Sequence, residues 1–220
     1  MDYAAVARQL LISALPILIA ITFHEVSHGF VAYKLGDSTA KMLGRLTLNP
    51  LASIDLFGTI LLPIMTYLLT GLVFGYAKPV PINPMNFKNP RKGMALSAVA
   101  GPVTNIVLAL ISVILLKLII APLAMTSSDT ISETILQPVI MILKASIQIN
   151  VILAVVNMIP IPPLDGGRVL VGLLPSRQAM TFSKIEPFGF IIVLVLFYTG
   201  IASYIITPLF IFFMKLFRMF

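Results

Sequence analysis

Residues 24–28 read His-Glu-Val-Ser-His, and these two histidines are the only ones in the chain. On a helix, positions i and i+4 share a face, so His24 and His28 can both turn an imidazole nitrogen toward one ion. Glu25 sits one position round, within reach of a water on that ion, and can serve it as general base. The competing reading is a histidine pair hydrogen-bonded between helices, with Glu25 as its partner. Its weakness is cost: an unpaired carboxylate in an apolar helix is penalised by about 2.5–3.5 kcal/mol, and ionisable residues there default to function.

Two histidines do not complete a catalytic zinc site, which has three protein ligands and an open position for water. With no cysteine and no third histidine, the missing ligand must be a carboxylate. The acidic residues are Asp2, Glu25, Asp37, Asp55, Asp129, Glu133, Asp165 and Glu186. Asp165 is the strongest candidate, because it ends an uncharged run from Ala145 to Leu164 and precedes Gly166-Gly167. The two glycines permit a tight bend and close approach of another element. The alternative for Asp165 is a helix N-cap opening residues 166–174. One zinc per chain is therefore expected, held by His24, His28 and Asp165.

The elements that must position these residues lie in a bilayer. Of the 220 residues, 59% are hydrophobic and 10% charged, against about 25% charged in soluble domains; the mean hydropathy is +1.04. The absence of cysteine excludes disulfides, thiolate metal sites and a cysteine nucleophile. The net charge of +7 is spread through loops between apolar runs, which reports membrane orientation and headgroup contact; no nucleic-acid partner is expected.

A spanning helix needs about 20 mostly apolar residues, and the candidates are 9–32, 56–76, 93–119, 135–159 and 187–214. Arg8 is the one basic residue before the first run, and no small-residue cleavage site follows, so 9–32 is expected to be a retained helix. Segment 56–76 carries Gly58, Pro63, Gly71 and Gly75 and makes a poor regular helix. Residues 40–49 alternate polar and apolar around Gly44, which predicts a short β-hairpin. The four prolines of 77–92 predict an extended loop. One integral membrane domain over 1–220 is expected, with a catalytic core over about 9–175, a C-terminal membrane segment over 187–214 and no appended soluble domain.

Charge then bears on topology. Loops 33–55, 77–92 and 160–186 each carry three or more Lys and Arg, whereas loop 120–134 carries only Asp129 and Glu133. If 56–76 crossed the membrane, the first two basic loops would lie on opposite faces, against the positive-inside tendency. A re-entrant 56–76 puts all three on the cytoplasmic side and makes helices 9–32 and 135–159 parallel. HEVSH and Asp165 then lie at the same end, as a shared metal requires.

The order of HEVSH, Gly101-Pro-Val-Thr-Asn105 and Asn157-(x)7-Asp165-Gly-Gly on successive apolar segments resembles the site-2 protease family of intramembrane metalloproteases. The stretch 36–50, the 77–89 loop and Pro160-Ile-Pro-Pro-Leu-Asp-Gly-Gly-Arg168 resemble its short prokaryotic members. The likeness covers roughly residues 20–175. It implies an all-α polytopic membrane protein with a three-helix catalytic core around one zinc, plus C-terminal helix or helices. The implied activity is cleavage of membrane-embedded helices of other proteins, in the prokaryotic plasma membrane and toward its cytoplasmic side. Residue by residue, it assigns His24, His28 and Asp165 as zinc ligands and Glu25 as general acid/base. It assigns Asn157 to the substrate carbonyl or its oxyanion, for which an interhelical hydrogen bond is the physical alternative. Gly101 and Asn105 match a helix-packing motif.

A transmembrane helix must unwind before its peptide bonds can be attacked, so the 40–49 hairpin or the 77–89 loop is expected to hold substrate by strand addition. A metal-ion transporter would show several ligand clusters along a path, and this chain has one. A non-catalytic zinc scaffold would have a closed four-ligand site indifferent to Glu25.

Overall fold

The computed structural model describes residues 3–62, 64–66 and 75–219. Three helices dominate: α1 (Tyr3–Lys34), α3 (Pro90–Thr126) and α4 (Asp129–Asn157). Between the first two lie the short α2 (Thr39–Met42), a π-type helical stretch at Leu56–Leu61 and 3-10 turns at Pro50–Ser53 and Pro84–Asn86. After α4 come α5 (Asp165–Leu173), α6 (Ser176–Ser183), α7 (Glu186–Tyr198) and α8 (Ile201–Leu216). Three helices are long and apolar enough to cross a membrane, and a fourth span results if the bent pair α6–α7 counts as one.

Local chemistry explains the ends that matter. Asn89 caps α3 by accepting the Lys92 N–H, with Pro90 at the first helical position where a missing N–H costs nothing. Toward its far end α3 widens into a π-type turn at Leu115–Ile120 before the final Ala121–Thr126. Pro160, Pro162 and Pro163 follow α4 and prevent its continuation.

Cross-helix hydrogen bonds give the directions. His28 meets Ser97 while Ala20 meets Asn105, so α1 and α3 run antiparallel. Asn105 meets Asn150 while Ser112 meets Ser146, so α3 and α4 are antiparallel and α1 and α4 parallel. That is the arrangement the loop charges required. The apolar core, including Ala109, Val113, Ile147, Val151 and Met214, lies between α3, α4 and α8.

In the segment joining α1 to α3, residues 76–78 lie against residues 53–58. The Tyr76 N–H donates to the Gly58 carbonyl (2.9 Å) and the Lys78 N–H to the Ser53 carbonyl (3.0 Å). Part of the expected re-entrant segment 56–76, at 63 and 67–74, lies outside the described residues.

The expected β-hairpin at 40–49 is not formed; no strand occurs among the described residues. Residues 39–42 are the helical turn α2, and Gly44 (φ 64°) ends it. The Arg45 N–H bonds the Ala40 carbonyl (2.8 Å) and the Gly44 N–H the Lys41 carbonyl (3.1 Å), a paired helix-terminating pattern that needs a left-handed residue. Gly44 is thus a helix stop, whereas the alternation around it suggested a hairpin turn. Asp37 starts the turn by accepting both the N–H and the hydroxyl of Thr39.

The C-terminal segment 187–214 joins opposite ends of the bundle. At its start Gly189 lies against Pro162, with space for no Cβ. Past its end, the Lys117 Nζ on α3 donates to the carbonyls of Phe217 (2.7 Å) and Arg218 (2.8 Å). The segment is two helices, broken at Gly200 (φ 76°).

Candidate metal centre

The two histidines stand one turn apart on the face of α1 that α3 covers. Their rings are edge-on, with centroids 4.6 Å apart. The Nε2 atoms of His24 and His28 lie 3.1 and 3.3 Å from one oxygen, Asp165 Oδ2. All three residues are buried, at 7%, 6% and 5% exposure. Their ligand atoms fall within 4.8 Å of one another, and they are the one His/Asp/Glu group of this kind among the described residues.

Asp165 reaches the histidines because the chain doubles back after α4. A Cβ on Gly166 would stand 2.3 Å from the Met158 carbonyl oxygen, and one on Gly167 2.3 Å from the Pro162 nitrogen. Only glycines let the first turn of α5 fold onto this proline-rich stretch. The alternative role for Asp165, a helix cap, is not taken: Leu164 occupies the cap position and α5 has no side-chain cap.

The other ring nitrogens determine what the Nε2 atoms can do. His24 Nδ1 lies 2.6 Å from Asn105 Oδ1 and His28 Nδ1 lies 2.7 Å from the Ser97 carbonyl. The Asn105 amide nitrogen is committed elsewhere, to the Ala20 carbonyl (3.2 Å) and to Asn150 Oδ1 (2.8 Å). Asn105 therefore presents its oxygen, and both imidazoles donate from Nδ1. Each Nε2 is left with a lone pair aimed at a carboxylate oxygen that itself has no hydrogen-bond donor. Three electron-rich atoms so placed repel one another unless a cation stands among them. Two tetrahedral ligands at about 2.1 Å from zinc lie roughly 3.4 Å apart, close to the two separations seen here.

Gly101 completes the cradle. A Cβ there would be 2.5 Å from His24 Cε1 and from Cε1 and Nε2 of His28, so α3 can approach only without a side chain. The residues fit zinc: nitrogen and oxygen donors, a satisfied outer shell and no competing thiolate.

The two remaining expected site residues behave differently. Glu25 is half-buried beside the cluster and its Oε2 accepts the Val80 N–H at 2.9 Å. Asn157 is also half-buried, and donates one amide hydrogen to the Leu153 carbonyl of its own helix (2.9 Å). No hydrogen bond joins Asn157 to His24, His28, Asp165 or Glu25 among the described residues.

Sequence reasoning missed Asn150 and underrated Asn105. Both are fully buried and join three helices into one polar chain ending on His24. The available signal was an asparagine in each of two apolar segments; what they bond to was invisible. Ser97 and Val80 contribute backbone groups only, for which a sequence carries no signal.

Comparison with known proteins finds relatives named as zinc metalloproteases. The sequence profile of peptidase family M50 matches residues 12–200. The Bacillus subtilis protein named "Putative zinc metalloprotease YwhC" is 42% identical over 193 residues, covering 88% of this chain and 83% of that one. The Rip2 proteins of Mycolicibacterium smegmatis and Mycobacterium tuberculosis, carried under the same description, are 28% and 27% identical over 83% and 82% of this chain. The chain spans 64% of the length of each. No solved structure matches it.

Proposed function

We propose an activity from one shown premise: the chain belongs to peptidase family M50, the site-2 protease family. The proposed activity is zinc-dependent hydrolysis of peptide bonds in or near the transmembrane segments of other membrane proteins. The observation that carries it is the convergence of His24, His28 and Asp165 on one point, with Glu25 on the adjoining helical position.

When bound, zinc supplies a Lewis acid that polarises a peptide carbonyl and acidifies water. The chain supplies the rest. His24, His28 and Asp165 would hold the ion, and Gly101 lets α3 close against the two imidazoles. Glu25 has one oxygen engaged by Val80 and the other available to take a proton from water, which it later gives to the leaving amine. Asn157 retains an uncommitted N–H with which to hold the substrate carbonyl or its oxyanion.

The substrate is a transmembrane helix that unwinds locally and pairs with the extended segment 77–83. Pro79 and Pro81 have no N–H and bias their predecessors to extended backbone. Residues 78–82 therefore carry donors only at Lys78, Val80 and Ile82; the Ser53 carbonyl and Glu25 hold the first two, and the N–H of Ile82 is the one left to pair with substrate. Ile82→Pro removes one of these donors, and cleavage unchanged by it would rule the pairing out. For orientation, we place the site at the cytoplasmic side of the plasma membrane, with 56–76 dipping in and returning. The basic loops and the Tyr76–Gly58 bond support this reading.

The test is cleavage of a single-span substrate by detergent-purified protein, with zinc content measured on the same samples. Glu25→Gln should keep about one zinc per chain and lose cleavage by roughly 10²–10⁴-fold. Equal cleavage by both proteins would overturn the catalytic assignment, and zinc without any cleavage would point to a scaffold.

A further inference from the structure

The segment that touches Glu25 is itself held, by a residue that is not among the candidate metal ligands. The Arg45 side chain reaches across to the 78–79 backbone. Its Nη2 donates to the Lys78 carbonyl (2.9 Å) and, more weakly, to the Pro79 carbonyl (3.5 Å), and its Nη1 donates to the Ala52 carbonyl. The Lys78 N–H meanwhile bonds the Ser53 carbonyl (3.0 Å). One guanidinium thus clips residues 52–53 to residues 78–79, immediately before the Val80 N–H that bonds Glu25.

Three features make this clip specific to Val80. Arg45 is aimed by the end of α2, where its own N–H closes the Gly44 stop. Beyond Val80, buried Asp37 accepts the Asn83 N–H (2.8 Å) and the Asn86 amide (2.7 Å), pinning the other end of the strap. At Gly29, one turn past Glu25, a Cβ would stand 2.7 Å from Val80 Cγ1 and from Leu46 Cδ2. The strap lies in a notch on α1 that a side chain would fill.

We propose that Arg45 is a positioning residue for Glu25. Acting through the backbone of Lys78 and Pro79, it holds the Val80 N–H on one carboxylate oxygen and so aims the other. This rests on the reading of Glu25 as general base. A glutamate on a half-open helix flank has several rotamers, and misplacing a reacting group by about 1 Å costs on the order of a hundredfold in rate. Arg is suited to the task because its planar fork bonds several carbonyls at once, whereas Lys presents a single point charge.

Two readouts test it. In a cleavage assay, Arg45→Ala and Val80→Pro should each lower kcat by about ten- to a hundredfold, with KM within about twofold and zinc retained. Because the two residues act in series, the double variant should be no slower than Val80→Pro alone. Arg45→Lys should recover part of the loss. An unchanged kcat in Arg45→Ala, or losses that multiply in the double variant, would overturn the proposal. Hydrogen exchange reads the link without any substrate. Residues 78–82 contain only three amide hydrogens, and that of Val80 should exchange faster in Arg45→Ala than in the wild type at equal thermal stability. Equal exchange overturns the proposal whether or not the protein cleaves. A wild type that exchanges as expected but cleaves nothing would sink the protease assignment and leave the Arg45–Glu25 link standing.

Discussion

One turn of α1 serves two regions built in different ways. On the side of His24 and His28, the support is helical and buried. Asn105 and Asn150 lie fully buried on two further helices, and α3 presses in at Gly101. On the side of Glu25, the support is a proline-rich strap held by Arg45 and Asp37 from the loops. The ion needs a fixed set of donors, which packed helices supply. On the proposed function the base works where substrate enters, and a strap leaves that flank half-open. Holding the metal and performing the chemistry therefore depend on separate parts of the chain and should fail separately.

The strongest break in the comparison is on the helical side. His24→Ala and Asp165→Ala should each lose the zinc altogether and reduce cleavage to background, as metal analysis of purified protein would register. Zinc that survives Asp165→Ala would remove this residue from the ligand set. Next come the supports of the ligands. Gly101→Ala forces the imidazoles apart, and Asn105→Leu frees His24 to rotate. Zinc affinity should fall about 10–100-fold in Asn105→Leu, and at least as far in Gly101→Ala, by competition with a chelator. Affinities equal to the wild type would show that the outer shell is packing alone.

The smallest effect is expected on the strap. The Asp37 carboxyl is buried, which raises its pKa, yet bonds from Thr39, Asn86 and Asn83 outweigh burial and lower it. A carboxyl whose folded pKa is depressed stabilises the fold above its unfolded value, about 3.9. That contribution disappears as pH falls through the folded value. Asp37→Asn should cost about 1–3 kcal/mol at neutral pH and flatten the acid side of the stability profile, with zinc binding at pH 7 unchanged. A profile identical to the wild type would detach Asp37 from the strap.

The metal side was legible because its information is local and chemical. HEVSH fixes two donors by helical periodicity, and the short acidic inventory leaves few partners, of which the glycines after Asp165 mark one. The direction of the helices was legible as well, through the basic loops. The hairpin at 40–49 was misread for a definite reason. Gly44 supplies the same left-handed residue to a hairpin turn and to a helix stop, and alternation over ten residues does not separate them. Asp37 decides in favour of the helix by bonding Thr39, a contact that needs the end of α1 in place.

By itself, then, the sequence determined the solvent, the donor types and their spacing on α1, since each follows from composition or from periods of a few residues, and it marked Asp165 as the strongest candidate for a third donor. Only the tertiary structure decided which nitrogen of His24 faces the metal and which backbone group holds Glu25. The first depends on Asn105, 81 residues away, and the second on Val80, 55 residues away. Such pairings depend on the register between helices and on where a loop comes to rest. Those are set by the packing of the whole bundle, to which no single stretch of sequence corresponds.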